Sequence, residues 1–214
     1  MKHITLNLAL VALIATFAST SSHALVLISA GNTPGGDNVL FNNNPPNGLQ
    51  LSGILNNAQN TPVNFSSTQV LHANGGQARI EAANGANLTN VSVFLNPGFG
   101  FTQYVGNPFS ATRNSNLTIT VNSVDSNGVI EAPTVLVLPV GNGQNFFTAL
   151  ASGGELITSV NLSNGSFQDL RQNRLTGVQS LLTHQSAVPE PGSVALLVGS
   201  VITGVGVLVR RRRN

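Results

Sequence analysis

Between its two ends the 214-residue chain carries six carboxylates, Asp37, Glu81, Asp125, Glu131, Glu155 and Asp169, and two histidines, His72 and His184, all scattered singly. Acid–base catalysis needs two such groups close together in a site that tunes them, so any pairing has to be built by the fold. Arg79 and Glu81 sit two apart, on one face of an extended segment, and read as a solvated or cross-strand ion pair. The chain has no Gly-x-Ser-x-Gly elbow, no phosphate-binding loop and no His-Glu-x-x-His helix. Cysteine is absent, which excludes thiol chemistry and cysteine-based zinc sites.

Two further chemistries have candidate residues. Calcium favours Asp and Asn oxygens and backbone carbonyls, and Asp125-Ser126-Asn127-Gly128 offers such ligands close together, although it lacks the repeated acids and distal Glu of an EF-hand and reads equally as a turn. Asp37 and Asp169 complete the metal candidates, since a two-sheet fold has the means to bring them together. Carbohydrate recognition usually needs an aromatic platform. Tryptophan is absent and Tyr104 is the only tyrosine, so Phe99, Phe101 and Tyr104 form the candidate cluster, with core packing as the other reading. Abundant Asn, Ser and Thr on exposed faces suit contact with hydrated polysaccharide, because they present donors and acceptors with little charge.

The elements that must position these residues are short strands. Asn-Gly occurs at Asn47-Gly48, Asn74-Gly75, Asn84-Gly85, Asn127-Gly128, Asn142-Gly143 and Asn164-Gly165, and both residues tolerate the positive φ of a tight hairpin. Between the turns lie strand-length segments with period-two alternation: Val91, Val93 and Leu95 share one face, as do Leu117, Ile119 and Val121. Val135-Leu136-Val137-Leu138 is apolar on both faces and reads as a central strand. Eight or so strands with frequent turns imply an all-β, antiparallel β-sandwich of jelly-roll type over residues 25–182, with a closed barrel as the alternative. A solenoid would require a fixed internal period, and none is present.

Both ends read as addresses. Lys2 and His3 precede an apolar core from Ile4 to Phe17, and Ser22-His23-Ala24 places small residues where a signal peptidase reads them, so a signal peptide spans 1–24. At the other end a linker, 183–187, leads into Val188-Pro189-Glu190-Pro191, an apolar run over 194–209 that reads as a transmembrane helix, and Arg210, Arg211, Arg212 and Arg213. The prolines hold the backbone extended for a processing enzyme, and the arginines read as a positive-inside stop.

This order resembles the carboxy-terminal sorting signal of the PEP-CTERM family of bacterial surface proteins. The resemblance implies export, brief anchoring in the inner membrane and cleavage near Pro189-Glu190-Pro191 by an exosortase. Delivery is then to the cell envelope, outer surface or medium of an exopolysaccharide-producing Gram-negative bacterium. Gly143-Gln144-Asn145-Phe146-Phe147-Thr148 and Asp169-Leu170-Arg171-Gln172 resemble ectodomains found ahead of this tail, which implies a β-sandwich surface module and brings no catalytic residues.

With the addresses set aside, four arginines face six carboxylates, so the domain is slightly acidic and offers no basic patch to nucleic acid. The expectation is a non-catalytic matrix or adhesion module associated with exopolysaccharide and biofilm. The alternative is a hydrolase or lyase on the same scaffold.

Overall fold

The structure is a computed structural model that describes residues 25–42, 45–57, 61–74, 79–110 and 115–184. The signal peptide with Ser22 and Ala24, and the sorting signal from Val188 to Asn214, lie outside the described residues. What is described is all-β. The chain opens with β1 (Leu25–Ala30), β2 (Asp37–Leu40), β3 (Gly48–Leu55) and the long β4 (Pro62–Asn74). β5 (Arg79–Ala82), β6 (Val91–Leu95), β7 (Phe99–Gly100), β8 (Gln103–Phe109) and β9 (Ser115–Val124) follow. β10 (Thr134–Val140), β11 (Phe147–Ser152), β12 (Leu156–Ser163), β13 (Asp169–Thr176) and β14 (Gln179–Ser180) end in a single 3-10 turn, Leu181–His184. Among the described residues no helix is long and apolar enough to cross a membrane.

The strands form two rows. One runs β1-β11-β8-β13 and continues to β5, which pairs with β13 through Asp169↔Glu81 and Leu170↔Ile80. The other runs β4-β6-β12-β9-β10. β4 belongs to both: Val63 to Ser66 pair with β6, whereas Leu71 to Asn74 pair with β5. An open twisted sheet of this many strands curls or splits, and here it folds over along β4. Inward side chains from both rows then meet in one cluster that includes Val26, Phe65, Ile80, Val93, Ile119, Phe147 and Val160. The alternation read from sequence explains this, since Val91, Val93, Leu95, Leu117, Ile119 and Val121 are all buried.

Two expectations need correction. β10 is not central: it ends the second row, and Val135 and Val137 are 57% and 56% exposed while Leu138 and Val140 are buried. Its β-branched residues suit a pleated strand in either position, so composition alone did not distinguish edge from centre. Nor does each Asn-Gly mark a hairpin. Asn127-Gly128 joins the paired strands β9 and β10, and Asn74 closes β4 toward its partner β5. Asn84-Gly85, Asn142-Gly143 and Asn164-Gly165 instead lie between strands of opposite rows, where the chain arches from one layer to the other. Asn164 (φ 56°) and Gly143 (φ 99°) use the same left-handed conformation there. Asn47-Gly48 opens β3.

Both chain ends leave the domain at one end, here termed the exit end. Leu25 pairs with Ser152 at the β11–β12 turn. Ala151 N–H donates to Thr102 O at 2.8 Å, Phe101 N–H to Ile157 O at 3.0 Å, and Leu181 N–H to Gly98 O at 2.9 Å. The opposite end of the first row is reached at Phe109 and Asp169, six residues along β8 from Gln103, or about 20 Å away.

Candidate functional site

At that far end, β4, β5, β13 and β8 turn polar side chains outward because their alternate residues, Leu71, Ala73, Ile80, Ala82 and Leu170, fill the core. Asp169 is the centre of this face. It sits opposite Glu81 on one side and Phe109 on the other, and it is fully buried. Arg171, two residues along β13, donates through Nε and Nη2 to both Asp169 oxygens. Arg79 Nε lies 3.3 Å from Asp169 Oδ2, and Arg79 Nη2 donates to Glu81 Oε2. Asn74 Nδ2 donates to the other Glu81 oxygen at 2.8 Å. The Arg171 guanidinium lies over the Phe109 ring, 3.8 Å from its centroid. The predicted Arg79–Glu81 pair is therefore one part of a four-residue charge network with a buried acid beneath it.

A bulge in β13 sets the borders of this face. Gln172 adopts φ 55°, and the register with β8 shifts between Arg171 and Arg174. The extra residue moves the alternation by one, so Asn173 and Leu175 turn inward and Arg174 stays outward. Gln172 Oε1 accepts from Asn107 Nδ2 at 3.3 Å, and Asn107 Oδ1 accepts from Asn145 N–H at 2.8 Å. Inside, the Tyr104 hydroxyl donates to Asn173 Oδ1 in the core, and burial pushes that hydroxyl above the ordinary phenol range.

The sequence candidates are distributed differently from expectation. Phe101 and Tyr104 are fully buried, and Tyr104 packs its ring 5.6 Å from Phe147, so a three-ring stacking platform is not formed. Inward-facing positions of β8 need apolar bulk, which is what these rings supply. Phe99 alone is exposed, at the exit end, where it lines a pocket of about 130 Å³ with Thr61, Pro62, Leu95 and Asn96. Asp37 and Asp169 are not brought together: Asp37 pairs with Leu175, six residues along β13 from Asp169, and is bonded instead to Asn57 Nδ2. Asp125 caps its own turn. Its Oδ1 accepts from Val129 N–H and Asn127 N–H, each at 2.8 Å, and the bond from Val129 is the largest cause holding this carboxyl below its usual range. Among the described residues no three Asp, Glu or His side chains group as a metal site.

Glu155 was not singled out from sequence. It is buried near the exit end, with Oε1 accepting from the Ser123 hydroxyl and Oε2 without a partner among the described residues. Arg171, Phe109 and Asn107 were also missed as a unit. Their signal was present in two strands that each carry an arginine and an acid at spacing two, in opposite order: Arg79-x-Glu81 and Asp169-x-Arg171.

No protein-family model matches the chain, and no curated protein matches it. Among solved structures, the family 11 carbohydrate-binding module of the cellulosomal cellulase Lic26A-Cel5E of Clostridium thermocellum is similar at 12% identity, covering 68% of this chain and 96% of that one, with a TM-score of 0.35.

Proposed function

We propose that the chain is an exported, exosortase-sorted surface protein whose domain is a jelly-roll β-sandwich that contacts exopolysaccharide without cleaving it. The far-end face carries this reading. Half-buried Arg79, Arg171, Asn74, His72 and Gln172 line this face, with the Arg171 guanidinium lying over the Phe109 ring, and such a polar, aromatic-backed surface suits hydroxyl-rich polymers through the donors and acceptors not used within the protein. Both carboxylates of the face are bonded to guanidinium and amide donors, an arrangement that builds a rigid polar surface. The row β11-β8-β13-β5 faces β6-β12-β9-β10, and the chain crosses between them at β5–β6, β8–β9, β10–β11, β11–β12 and β12–β13, which supports the jelly-roll reading.

Delivery rests on the C-terminal order of Val188-Pro189-Glu190-Pro191, the apolar run 194–209 and Arg210 to Arg213. The partners are a signal peptidase, an exosortase and, transiently, the inner membrane. Calcium has no role in this reading, since Asp125 and Asp169 commit their oxygens to protein donors.

Incubating the purified protein with host exopolysaccharide tests the proposal. Retention on the polymer at unchanged polymer length, weakened by Arg171→Ala, is the expected result. Shortening of the polymer would replace this reading with that of a hydrolase or lyase, and neither retention nor shortening would leave a structural coat protein.

A further inference from the structure

Among the described residues, six of the twelve exposed large aliphatic and aromatic side chains, including the two most exposed, gather at one end of the domain. Ile130 is 82% exposed and Leu182 79% exposed, and Leu25, Leu27, Val129 and Phe99 are also open to solvent. The ladders place all six at the exit end. Leu25 and Leu27 pair with Ser152 and Leu150, and Phe99 pairs with Ser180, one residue before the 3-10 turn that holds Leu182. The loop carrying Val129 and Ile130 is tied to the same end: Val124 pairs with both Leu156 and Ile130, and Ser126 lies against Gly154. Away from this end Leu49, Val70 and, on β10, Val135 and Val137 are exposed, and the far end of the first row carries the Arg79–Glu81–Asp169–Arg171 network. Contiguous exposed apolar surface marks a contact with another apolar phase or partner.

We infer that the exit end docks on a lipid bilayer, with Leu25, Leu27, Val129, Ile130, Leu182 and Phe99 seated at the headgroup–acyl boundary while the tail is anchored. The occupant follows from the chain outside the described residues. The apolar run 194–209 begins only ten residues beyond His184, so the anchoring segment leaves from the face that exposes these side chains, and Leu25, where the signal peptide is cut, lies on the same face. Ten residues reach about 35 Å at most, and less in any relaxed conformation, which keeps this end beside the membrane. Aromatic and aliphatic side chains are favoured at that depth. Asp125 and Glu131 share this end, so docking favours zwitterionic over anionic lipid. The polar far-end face is then turned away from the membrane.

The inference rests on the tail acting as a membrane anchor, and the experiment separates the two. The chain has no cysteine, so single-cysteine variants Ile130→Cys and Val70→Cys of the full-length protein accept one fluorophore each. Both are reconstituted into phosphatidylcholine vesicles containing lipid brominated on its acyl chains. Flotation with the vesicles establishes the anchor, and its loss would overturn the sorting reading and this one together. Among floated protein, quenching several-fold stronger at position 130 than at position 70 is expected. Equal or absent quenching in floated protein would overturn docking while leaving the anchor intact. Protection of position 130 that grows with protein density and without bromine quenching would assign this face to a second copy instead, which also overturns docking.

Discussion

Glu81 and Asp169 are direct partners across the β5–β13 ladder, two carboxylates facing each other on an antiparallel pair. Like charges in that position repel, and the pair persists because Arg79 reaches both while Arg171 closes on Asp169 from its own strand. The buried acid and its two arginines are thus a single unit. Each member is costly without the others.

Asp169→Asn should therefore destabilise the domain strongly. Removing one partner of a buried, hydrogen-bonded pair leaves the rest uncompensated, which costs on the order of 3 kcal/mol. Glu81→Gln should cost under about 1 kcal/mol, because Glu81 is partly solvated and its neighbour Arg79 keeps Asp169. Urea denaturation midpoints of the two variants check the ranking, and equal losses would contradict the buried position of Asp169.

Tyr104 gives a pH-dependent outcome that its chemistry makes easy to read, since the chain has one tyrosine and no tryptophan. Burial raises the folded-state pKa of its hydroxyl above the ordinary phenol value of 10.0, so the neutral form is the one the fold favours. Above about pH 10 the unfolded chain releases this proton while the folded chain holds it, and stability falls as pH rises; below that value the contribution is constant. Tyrosinate absorbance should appear only together with loss of the β-sheet circular dichroism signal. A tyrosinate signal in still-folded protein would place the hydroxyl in contact with water.

Tyr104→Phe should cost about 1–2 kcal/mol, because it removes the hydroxyl's bond to the buried Asn173 side chain. Asn173→Ala should then cost less in the Tyr104→Phe background than alone, since the bond the two share is already gone. Thermal denaturation of the single and double variants tests the coupling.

The turn at Asp125 should titrate without metal. Its carboxyl is held below the ordinary Asp value of 3.8 first by the Val129 amide, so its contribution is present above the unfolded value and is lost as pH falls through the lower folded value. A carboxyl-carbon NMR titration should show the depressed value. Melting curves in millimolar calcium and in excess chelator should superimpose, and a rise with calcium would reveal a site built from other oxygens.

Processing should depend on the C-terminal residues. Deleting Arg210 to Arg213, or changing Pro189 and Pro191 to Ala, is expected to leave unprocessed precursor in the membrane fraction, visible as a larger band on immunoblots. Normal maturation of both variants would remove the exosortase from the account.

Much of the architecture was legible because burial on one face leaves a period of two. Val91, Val93 and Leu95 fall on β6 and Leu117, Ile119 and Val121 on β9, as their alternation requires, and the apolar run Val135 to Leu138 lies within β10. β4 was not legible. It passes from one row to the other, so its burial pattern changes along its length, and Val63, Asn64 and Phe65 are all buried in succession. Asn-Gly marked where the chain turns but not whether it turns into a hairpin or an arch, because both need the same positive φ. The candidate face was half legible: each charge pair stood out at spacing two, whereas their meeting is a property of which strands become neighbours. Phe101 and Tyr104 were misplaced as surface candidates because aromatic residues on a strand look the same whether they face a sugar or the core.

β13 carries Asp169 and Arg171 at one end and, through β14 and the 3-10 turn, leads to the C-terminal segment at the other. If polymer is held at the first and the C-terminal segment is attached at the second, tension runs along this one strand. Its ladders to β8, β5 and β2 lie perpendicular to that pull, so their hydrogen bonds are loaded together in shear. The two-residue β14–β7 ladder lies outside this support and would yield first, lengthening the tether and absorbing a jolt before the body of the domain is strained.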